Sequence, residues 1–157
     1  MKLYKYITSK GAGAIFMAVI FGMLTNPVHA LDRKILSGAI CQPSSSSQVG
    51  DFSYYSTGIQ NTSSSTRWVI CPAGRDNTFN TNGVNFAGVR VAGTGTHSCY
   101  FDNVDNDGTL GRWVWNSRSG TGYISLNLTQ TTSQTPYVFQ CSMPANGKIV
   151  TTVIDEF

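Results

Sequence analysis

The chain contains few charged residues and almost no histidine. Asp, Glu, Lys and Arg make up 12% of the 157 residues, and there are two histidines. His29 lies in an N-terminal segment that we expect to be removed, so His97 is the only histidine in the rest of the chain. This excludes a metal site built from several histidines, and any Ser–His–Asp triad would have to use His97. Because no G-x-S-x-G sequence is present, we interpret His97 as an ordinary residue near a strand end, whose replacement by Ala has only a modest effect on stability.

Helical periodicity and long apolar runs are also absent. Beyond residue 30, no stretch repeats apolar residues at a spacing of about 3.6 over enough length to predict a helix. The apolar run from Ile15 to Leu24 is too short to cross a bilayer core of about 30 Å as a helix. No CxxC pair occurs, which excludes zinc-ribbon and thioredoxin-type sites.

The N-terminal segment has the layout of a secretory signal peptide. Three lysines precede the apolar run, and the helix breaker Pro27 and the small residue Ala30 follow it. We expect cleavage after Ala30 to release residues 31–157, which have the size of one domain, as a soluble secreted or periplasmic protein. A retained N-terminal membrane anchor is the alternative.

Residues 31–157 carry no net charge. The three N-terminal lysines account for the net charge of +3, which leaves eight basic residues against eight acidic ones. Without a basic run, this part of the chain has no electrostatic footprint for nucleic acid or for an anionic membrane surface. We therefore expect neither as a partner.

Four cysteines remain after the predicted cleavage: Cys41, Cys71, Cys99 and Cys141. An even number in an exported domain predicts two disulfides, and four cysteines allow three connectivities. Pairing of sequence neighbours is the most economical and gives Cys41–Cys71 and Cys99–Cys141. Each bridge would remove on the order of 4 kcal/mol of chain entropy from the unfolded state.

The rest of the pattern predicts an all-β protein. Eight or nine short strand-like runs, bounded by Gly, Asn, Ser and Pro, favour a single antiparallel β-sandwich, of either jelly-roll or immunoglobulin-like topology. Trp68 to Cys71 is predicted to be a buried strand that Pro72 ends. Pro144 to Gly147 is predicted to be a hairpin turn. The predicted strands include Ile35–Ile40, Phe52–Gln60, Thr66–Cys71, Val84–Val91, His97–Phe101, Thr109–Asn116, Gly122–Leu128, Tyr137–Met143 and Lys148–Ile154.

The cysteine and proline pattern resembles a loose group of small exported bacterial β-proteins. The shared features are a C-Q-P opening at Cys41, a V-x-C-P-x-x-R-D centre at Cys71 and a late C-x-x-P at Cys141. The resemblance covers most of residues 36–154. It implies an exported β-protein and carries no activity, ligand or catalytic residue with it.

Aromatic residues are the main candidates for ligand binding. Trp113 and Trp115, together with Tyr54 and Tyr55, would make an aromatic platform for sugar rings if they shared one exposed sheet face; Tyr100 and Tyr123 are further candidates. The alternative is that the tryptophans belong to the core, where large aromatic side chains are usually buried.

Two polar stretches have both a functional and a structural interpretation. Residues 103–108 resemble the first half of a calcium loop, but Val114 stands where the closing Glu belongs. We therefore interpret residues 102–108 as a hairpin tip whose three acidic side chains point into water. Arg75 and Asp76 are interpreted as a pair that braces a loop rather than as a ligand clamp. We therefore expect no metal and no cofactor.

No sequence motif in the chain is diagnostic of a particular reaction. We interpret it as a non-enzymatic exported module that binds a polysaccharide or a cell-surface protein. The alternative is a hydrolase of a sugar polymer that uses two of Asp102, Asp105 and Asp107, which would need two convergent carboxyl groups in a pocket. A third possibility is an inhibitor or toxin-neutralising domain with an exposed hydrophobic anchor.

Overall fold

A computed structural model describes residues 32–75, 83–104, 110–131 and 136–156. Residues 31–157 belong to one compact unit. The predicted signal peptide, Asp76 and the segment 105–109 lie outside the described residues. The described parts form two short 3-10 helices, Gly38–Ile40 and Ser46–Asp51. They also form eleven strands: β1 Asp32–Ser37, β2 Gln42–Pro43, β3 Phe52–Tyr55, β4 Gly58–Asn61, β5 Arg67–Ala73, β6 Val84–Ala92, β7 Thr96–Val104, β8 Leu110–Ser119, β9 Gly122–Ser125, β10 Tyr137–Met143 and β11 Lys148–Glu156.

The strands form two antiparallel sheets that pack together as a sandwich, which confirms the predicted fold class. The β11 sheet has the order β3-β4-β11-β6-β9, and β1 pairs with the other end of β11. The β10 sheet has the order β2-β5-β10-β7-β8. Apolar side chains from both sheets fill one core, among them Val89 and Ile124 from the β11 sheet and Phe101 and Phe139 from the β10 sheet.

Strand β5 has the predicted alternation, but only one of its faces is buried. Val69 and Cys71 are fully buried, whereas Trp68 and Ile70 are each 38% exposed. The prediction that Pro72 ends this strand is wrong, because β5 continues to Ala73 and stays paired with β10. On its other side β5 pairs with β2 only at Val69 and Ile70, so the missing N–H of Pro72 can face an unpaired edge.

The number of strands exceeds the predicted eight or nine because one predicted strand is divided and a short one was not predicted. The stretch Phe52–Gln60 forms two strands, β3 and β4, joined by a tight turn. Gly58 begins β4 with φ of 136°, a conformation that strongly favours glycine. Likewise, the strand predicted for Ile35–Ile40 ends at Ser37, because Gly38–Ile40 turns into a 3-10 helix.

The turn Pro144 to Gly147 forms as a tight turn but not as a hairpin. Gly147 N donates a hydrogen bond to Pro144 O over 2.9 Å, and Asn146 has φ of 59°. However, β10 and β11 belong to different sheets, so this turn carries the chain across the sandwich. Turn residues specify a chain reversal, but they do not specify which strand the departing segment pairs with.

Both predicted disulfides are present: Cys41–Cys71 and Cys99–Cys141. In each, the two Cα atoms lie 4.1 Å apart, and all four cysteines are fully buried. Cys99 stands directly opposite Cys141 on neighbouring strands β7 and β10. Cys41 immediately precedes β2, whose Gln42 stands opposite Ile70 of β5. Both bridges therefore link neighbouring chain segments of the β10 sheet and do not tie the two sheets together.

Candidate functional site

The outward face of the β10 sheet follows from the position of its cysteines. Side chains alternate between the two faces of a strand, and the cysteines point into the core. Residues an odd number of positions away from a cysteine therefore point outward. They include Trp68 on β5, Gln140 on β10, and Tyr100 and Asp102 on β7.

The strand register adds β8 to this face. Tyr100 stands opposite both Gln140 on β10 and Trp115 on β8. Asp102 stands opposite Val138 on β10 and Trp113 on β8. Because directly opposed residues point to the same side of a sheet, both tryptophans of β8 share the outward face with Tyr100 and Asp102.

Three aromatic side chains on this face form a continuous row. The ring centroids of Trp68 and Tyr100 lie 6.0 Å apart with planes at 31°, and those of Tyr100 and Trp113 lie 6.0 Å apart with planes at 58°. These separations are typical of interacting aromatic pairs. We call Trp68, Tyr100 and Trp113 the aromatic row.

The aromatic row borders an open cleft of about 540 Å³, which we call the aromatic cleft. Gln140 and Asp102 are the polar residues that line it. Gln140 lies on β10, the strand between those that carry Trp68 and Tyr100. Apolar walls with a small number of polar groups are the usual composition of a site for an organic ligand.

Asp102 is the one carboxylate among the described residues that line the aromatic cleft. Its side chain is only 2% exposed, although it lies on the outward face. The pKa of this carboxyl is raised to about 6 because the group is buried. The hydrogen bond that Gln140 Nε2 donates to Oδ2 over 3.1 Å offsets a part of this rise. Asp102 can therefore change protonation state close to neutral pH.

The four residues predicted to bind a ligand do not lie together. Trp113 and Trp115 are 53% and 57% exposed, so the alternative that they belong to the core is wrong. Tyr54 and Tyr55 lie on β3, in the other sheet. Tyr55 already faces a cation, because Lys148 Nζ lies 4.8 Å from its ring centroid.

Trp68, Gln140 and Asp102 were not predicted to share a binding site. Trp68 was interpreted as part of a buried strand. Asp102 was considered as part of a carboxylate pair and as an acidic residue of the hairpin tip that points into water; the second expectation is wrong, because Asp102 lies within β7 and is buried. Tyr123, the other aromatic candidate, is exposed on β9 in the β11 sheet. The structure thus brings Trp113 together with residues of three other strands and separates it from Tyr54 and Tyr55.

His97 faces the core and takes no part in the aromatic cleft. It is fully buried near the start of β7, and neither ring nitrogen has a hydrogen-bond partner among the described residues. Burial lowers the pKa of the imidazole. The ring lies against Gly147, at the turn that follows β10.

The two polar stretches with alternative interpretations lie partly outside the described residues. Arg75 packs over the ring of Tyr137 at 4.8 Å and donates a hydrogen bond to Thr131, while Asp76 lies outside the described residues, so their pairing stays a prediction. Strands β7 and β8, which flank the half-motif for calcium, pair with each other. Residues 105–109 between them are outside the described part, so the hairpin tip also stays a prediction.

A second cleft, of about 480 Å³, lies on the outward face of the β11 sheet. Its lining includes Tyr123, Phe86, Arg33 and Asp155. Arg33 donates two hydrogen bonds of 2.7 Å to the carboxylate of Asp155, and these lower the pKa of that carboxyl. The Asp155 carboxylate in this second cleft therefore has a cationic partner, whereas Asp102 has none among the described residues.

The described residues contain no group of three or more His, Cys, Asp or Glu side chains that could hold a metal ion. None of their helices has the length and apolarity that crossing a bilayer requires.

Fold and site together define a disulfide-stabilised β-sandwich with an aromatic cleft on one outward face. No protein-family model matches the chain, and no curated protein matches it either. The resemblance in cysteine and proline pattern therefore remains a prediction.

Proposed function

We propose that this protein is an exported, non-enzymatic binding module whose ligand is a glycan held in the aromatic cleft. The observation that carries this proposal is the row of Trp68, Tyr100 and Trp113 on one outward sheet face, with hydrogen-bonding groups beside it. A sheet face of this kind, with large aromatic rings next to a carboxylate and an amide, has both parts that sugar recognition needs.

The chemistry of a sugar ring fits this combination. The faces of a pyranose that carry C–H bonds are apolar and stack on aromatic rings, while its hydroxyl groups require hydrogen-bond partners at the edges. In the aromatic cleft, Trp68 and Trp113 offer the stacking surfaces. Asp102 accepts hydrogen bonds from hydroxyl groups, and the amide of Gln140 provides further polar contacts.

The proposed location is outside the cytoplasm. Two buried disulfides indicate an oxidising compartment, since such bonds seldom persist in a reducing cytosol. The finer assignment, to the periplasm or to the medium, rests on the predicted signal peptide at residues 1–30 and is part of the proposal.

Binding to immobilised and soluble oligosaccharides, measured by glycan array and calorimetry, tests the role. We expect at least one class of oligosaccharide to bind the wild type, and Trp113→Ala to weaken that binding about tenfold or more, because it removes a stacking surface. Tyr123→Ala is the matched control, since Tyr123 is also an exposed aromatic residue but lies on the other sheet. Equal losses in the two variants would contradict the proposed site.

A hydrolase of a sugar polymer is the second candidate, and one observation favours it. A carboxyl group whose pKa is raised to about 6 is suited to donate a proton to a leaving-group oxygen, and Asp102 lines the cleft. The second carboxylate would have to come from Asp105 or Asp107. Release of reducing ends from a bound oligosaccharide, abolished by Asp102→Asn, would favour the hydrolase over the binding module.

A further inference from the structure

We propose that the aromatic cleft selects sugars with a free ammonium group, and that the Asp102 carboxylate is the counter-charge for that group. The glycan would thus be a cationic polymer of amino sugars rather than a neutral or N-acetylated one. This inference rests on the glycan-binding role proposed above and specifies its ligand.

The first support is that Asp102, unlike the other described carboxylates, has no cationic partner among the described residues. Asp155 pairs with Arg33, Glu156 with Lys34, and Asp51 with Arg67. Of the carboxylates whose side chains the structure describes, Asp102 is the one with no Lys or Arg partner; its donor is the neutral amide of Gln140.

Burial makes this lack of a partner consequential. Asp102 is more deeply buried than Asp51, and a buried carboxylate without a cation is costly because it has lost its hydration. Such groups are enriched at sites where a ligand or a reaction uses them. A ligand that brings its own positive charge would complete the pairing that the other described carboxylates already have within the chain.

The aromatic walls favour the same kind of ligand. The faces of Trp and Tyr rings attract a cation that lies within about 6 Å of the ring centroid, and the attraction is stronger where water is excluded. Trp68, Tyr100 and Trp113 border the same cleft as Asp102. An ammonium group on a stacked sugar ring would therefore be held by the ring faces and by the carboxylate together.

A neutral sugar would use only part of this arrangement. Its hydroxyl groups could donate hydrogen bonds to Asp102, but the negative charge would remain without a counter-charge. An ammonium group adds a charge–charge attraction to the hydrogen bond with the carboxylate, so we expect the cationic ligand to bind about tenfold more tightly.

The affinity should also depend on pH in a defined way. The interaction needs the ionised carboxylate, so binding of an ammonium sugar should weaken as the pH falls below about 6. Among the residues that face Asp102, Trp113 on β8 and Val138 and Gln140 on β10 carry no titratable group. Of the described side chains that line the cleft, Asp102 is the only one from an Asp, Glu, His, Lys or Arg residue.

Three oligosaccharides with the same linkage test the inference: β-1,4-linked glucosamine, N-acetylglucosamine and glucose oligomers, titrated calorimetrically at pH 6.5. We expect the glucosamine oligomer to bind wild type about tenfold more tightly than the other two. Asp102→Asn should remove this preference, so that the glucosamine and glucose oligomers bind the variant with affinities within about threefold of each other, because both can use the same stacking surfaces. Asp51→Asn changes the net charge equally and should retain the preference.

The outcomes separate the two proposals. If all three oligomers bind equally to the wild type, or if Asp51→Asn removes the preference as Asp102→Asn does, the selection for an ammonium group is wrong and glycan binding stands. If none of the three binds, nor any other oligosaccharide on the array, both proposals are wrong. Circular dichroism of each variant confirms that a lost affinity is not a lost fold.

Discussion

Asp102 combines a binding role with an expected effect on stability. Burial raises the pKa of this carboxyl to about 6 in the folded protein, against an ordinary value of 3.8. The folded state therefore holds this proton more tightly than the unfolded state does. The resulting stabilisation is fully present below about pH 4 and is lost as the pH rises through about 6. At neutral pH the fold therefore carries the free-energy cost of a buried, ionised carboxylate at the aromatic cleft.

The Asp102→Asn variant should reveal this pH-dependent contribution of Asp102 to stability. The amide does not titrate. We therefore expect the unfolding free energy of the variant to rise, relative to that of the wild type, by on the order of 2–3 kcal/mol between pH 4 and pH 7. Urea unfolding of both proteins across this range measures the difference, and any other titrating group contributes equally to both. Parallel stability curves would show that the carboxyl of Asp102 has an ordinary pKa in the folded state.

His97 has the opposite pH dependence. Its buried ring has a lowered pKa, so the unfolded state takes up the proton first as the pH falls below about 6.5, and stability decreases. Complete burial of the side chain also indicates a larger effect of its removal than the sequence suggested.

We expect His97→Ala to destabilise the protein by about 2 kcal/mol, because it leaves a void beside Gly147. Oligosaccharide affinity should stay within about twofold of wild type, since the ring faces the core and not the aromatic cleft. Thermal unfolding and a binding titration measure the two effects. A selective loss of binding, or of any hydrolytic activity, with the fold intact would contradict the assignment of His97 to the core.

At the scale of elements, the alternation within strands could be predicted from the sequence better than the pairing between them. The three-residue offset between Trp68 and Cys71, and the adjacency of Tyr100 and Cys99, place both aromatic residues on the face opposite a buried disulfide. This signal was available in the sequence and would have identified two members of the aromatic row. Strand β8 contains no cysteine, so nothing local fixes which face carries Trp113.

The pairing of strands depends on contacts that are distant in sequence. Tyr54 and Tyr55 were grouped with Trp113 as aromatic candidates for one exposed sheet face, yet β3 belongs to the other sheet. The turn at Pro144 to Gly147 shows the same limit, since an identical local reversal serves a hairpin or a crossing between sheets. Loops that carry a chain across a sandwich are specified by the packing of the whole core.

The turn between β3 and β4 provides a test at this scale. Gly58 has φ of 136°, and an added Cβ would collide with the carbonyl oxygen of Ile149 on β11. We therefore expect Gly58→Ala to destabilise the protein by about 2–4 kcal/mol. Gly50→Ala is the matched control, because nothing lies within 4 Å of a Cβ at that position. Chemical unfolding of both variants measures the contrast, and equal midpoints would mean that the turn can relax without loss.

For the whole molecule, both disulfides lie in the sheet that carries the aromatic cleft. Sequence separations of 30 and 42 residues imply that each bridge contributes about 4 kcal/mol by restricting the unfolded chain. This is a large part of the roughly 5–15 kcal/mol that stabilises a typical domain. The β11 sheet has no such bridge in its described part, and Arg33–Asp155 and Lys34–Glu156 are ion pairs that link β1 to β11.

Reduction should therefore unfold the protein or make it sensitive to protease. We expect a reductant to lower the urea midpoint strongly, and the Cys99→Ala/Cys141→Ala double variant to lose about 4 kcal/mol. Unfolding with and without dithiothreitol measures the effect. Peptide mapping under non-reducing conditions checks the connectivity, and a Cys71–Cys99 peptide would contradict the pairing described above.

The position of the three tryptophans has a consequence for spectroscopy. The chain has three in all, and Trp68, Trp113 and Trp115 lie on the same outward face of the β10 sheet. Their fluorescence should therefore emit at long wavelength even in the native protein, and it should change little when the core melts. A ligand that covers this face would instead quench the emission or shift it to the blue. Intrinsic fluorescence is thus a built-in reporter of occupancy rather than of folding, and stability has to be followed by the circular dichroism of the sheets.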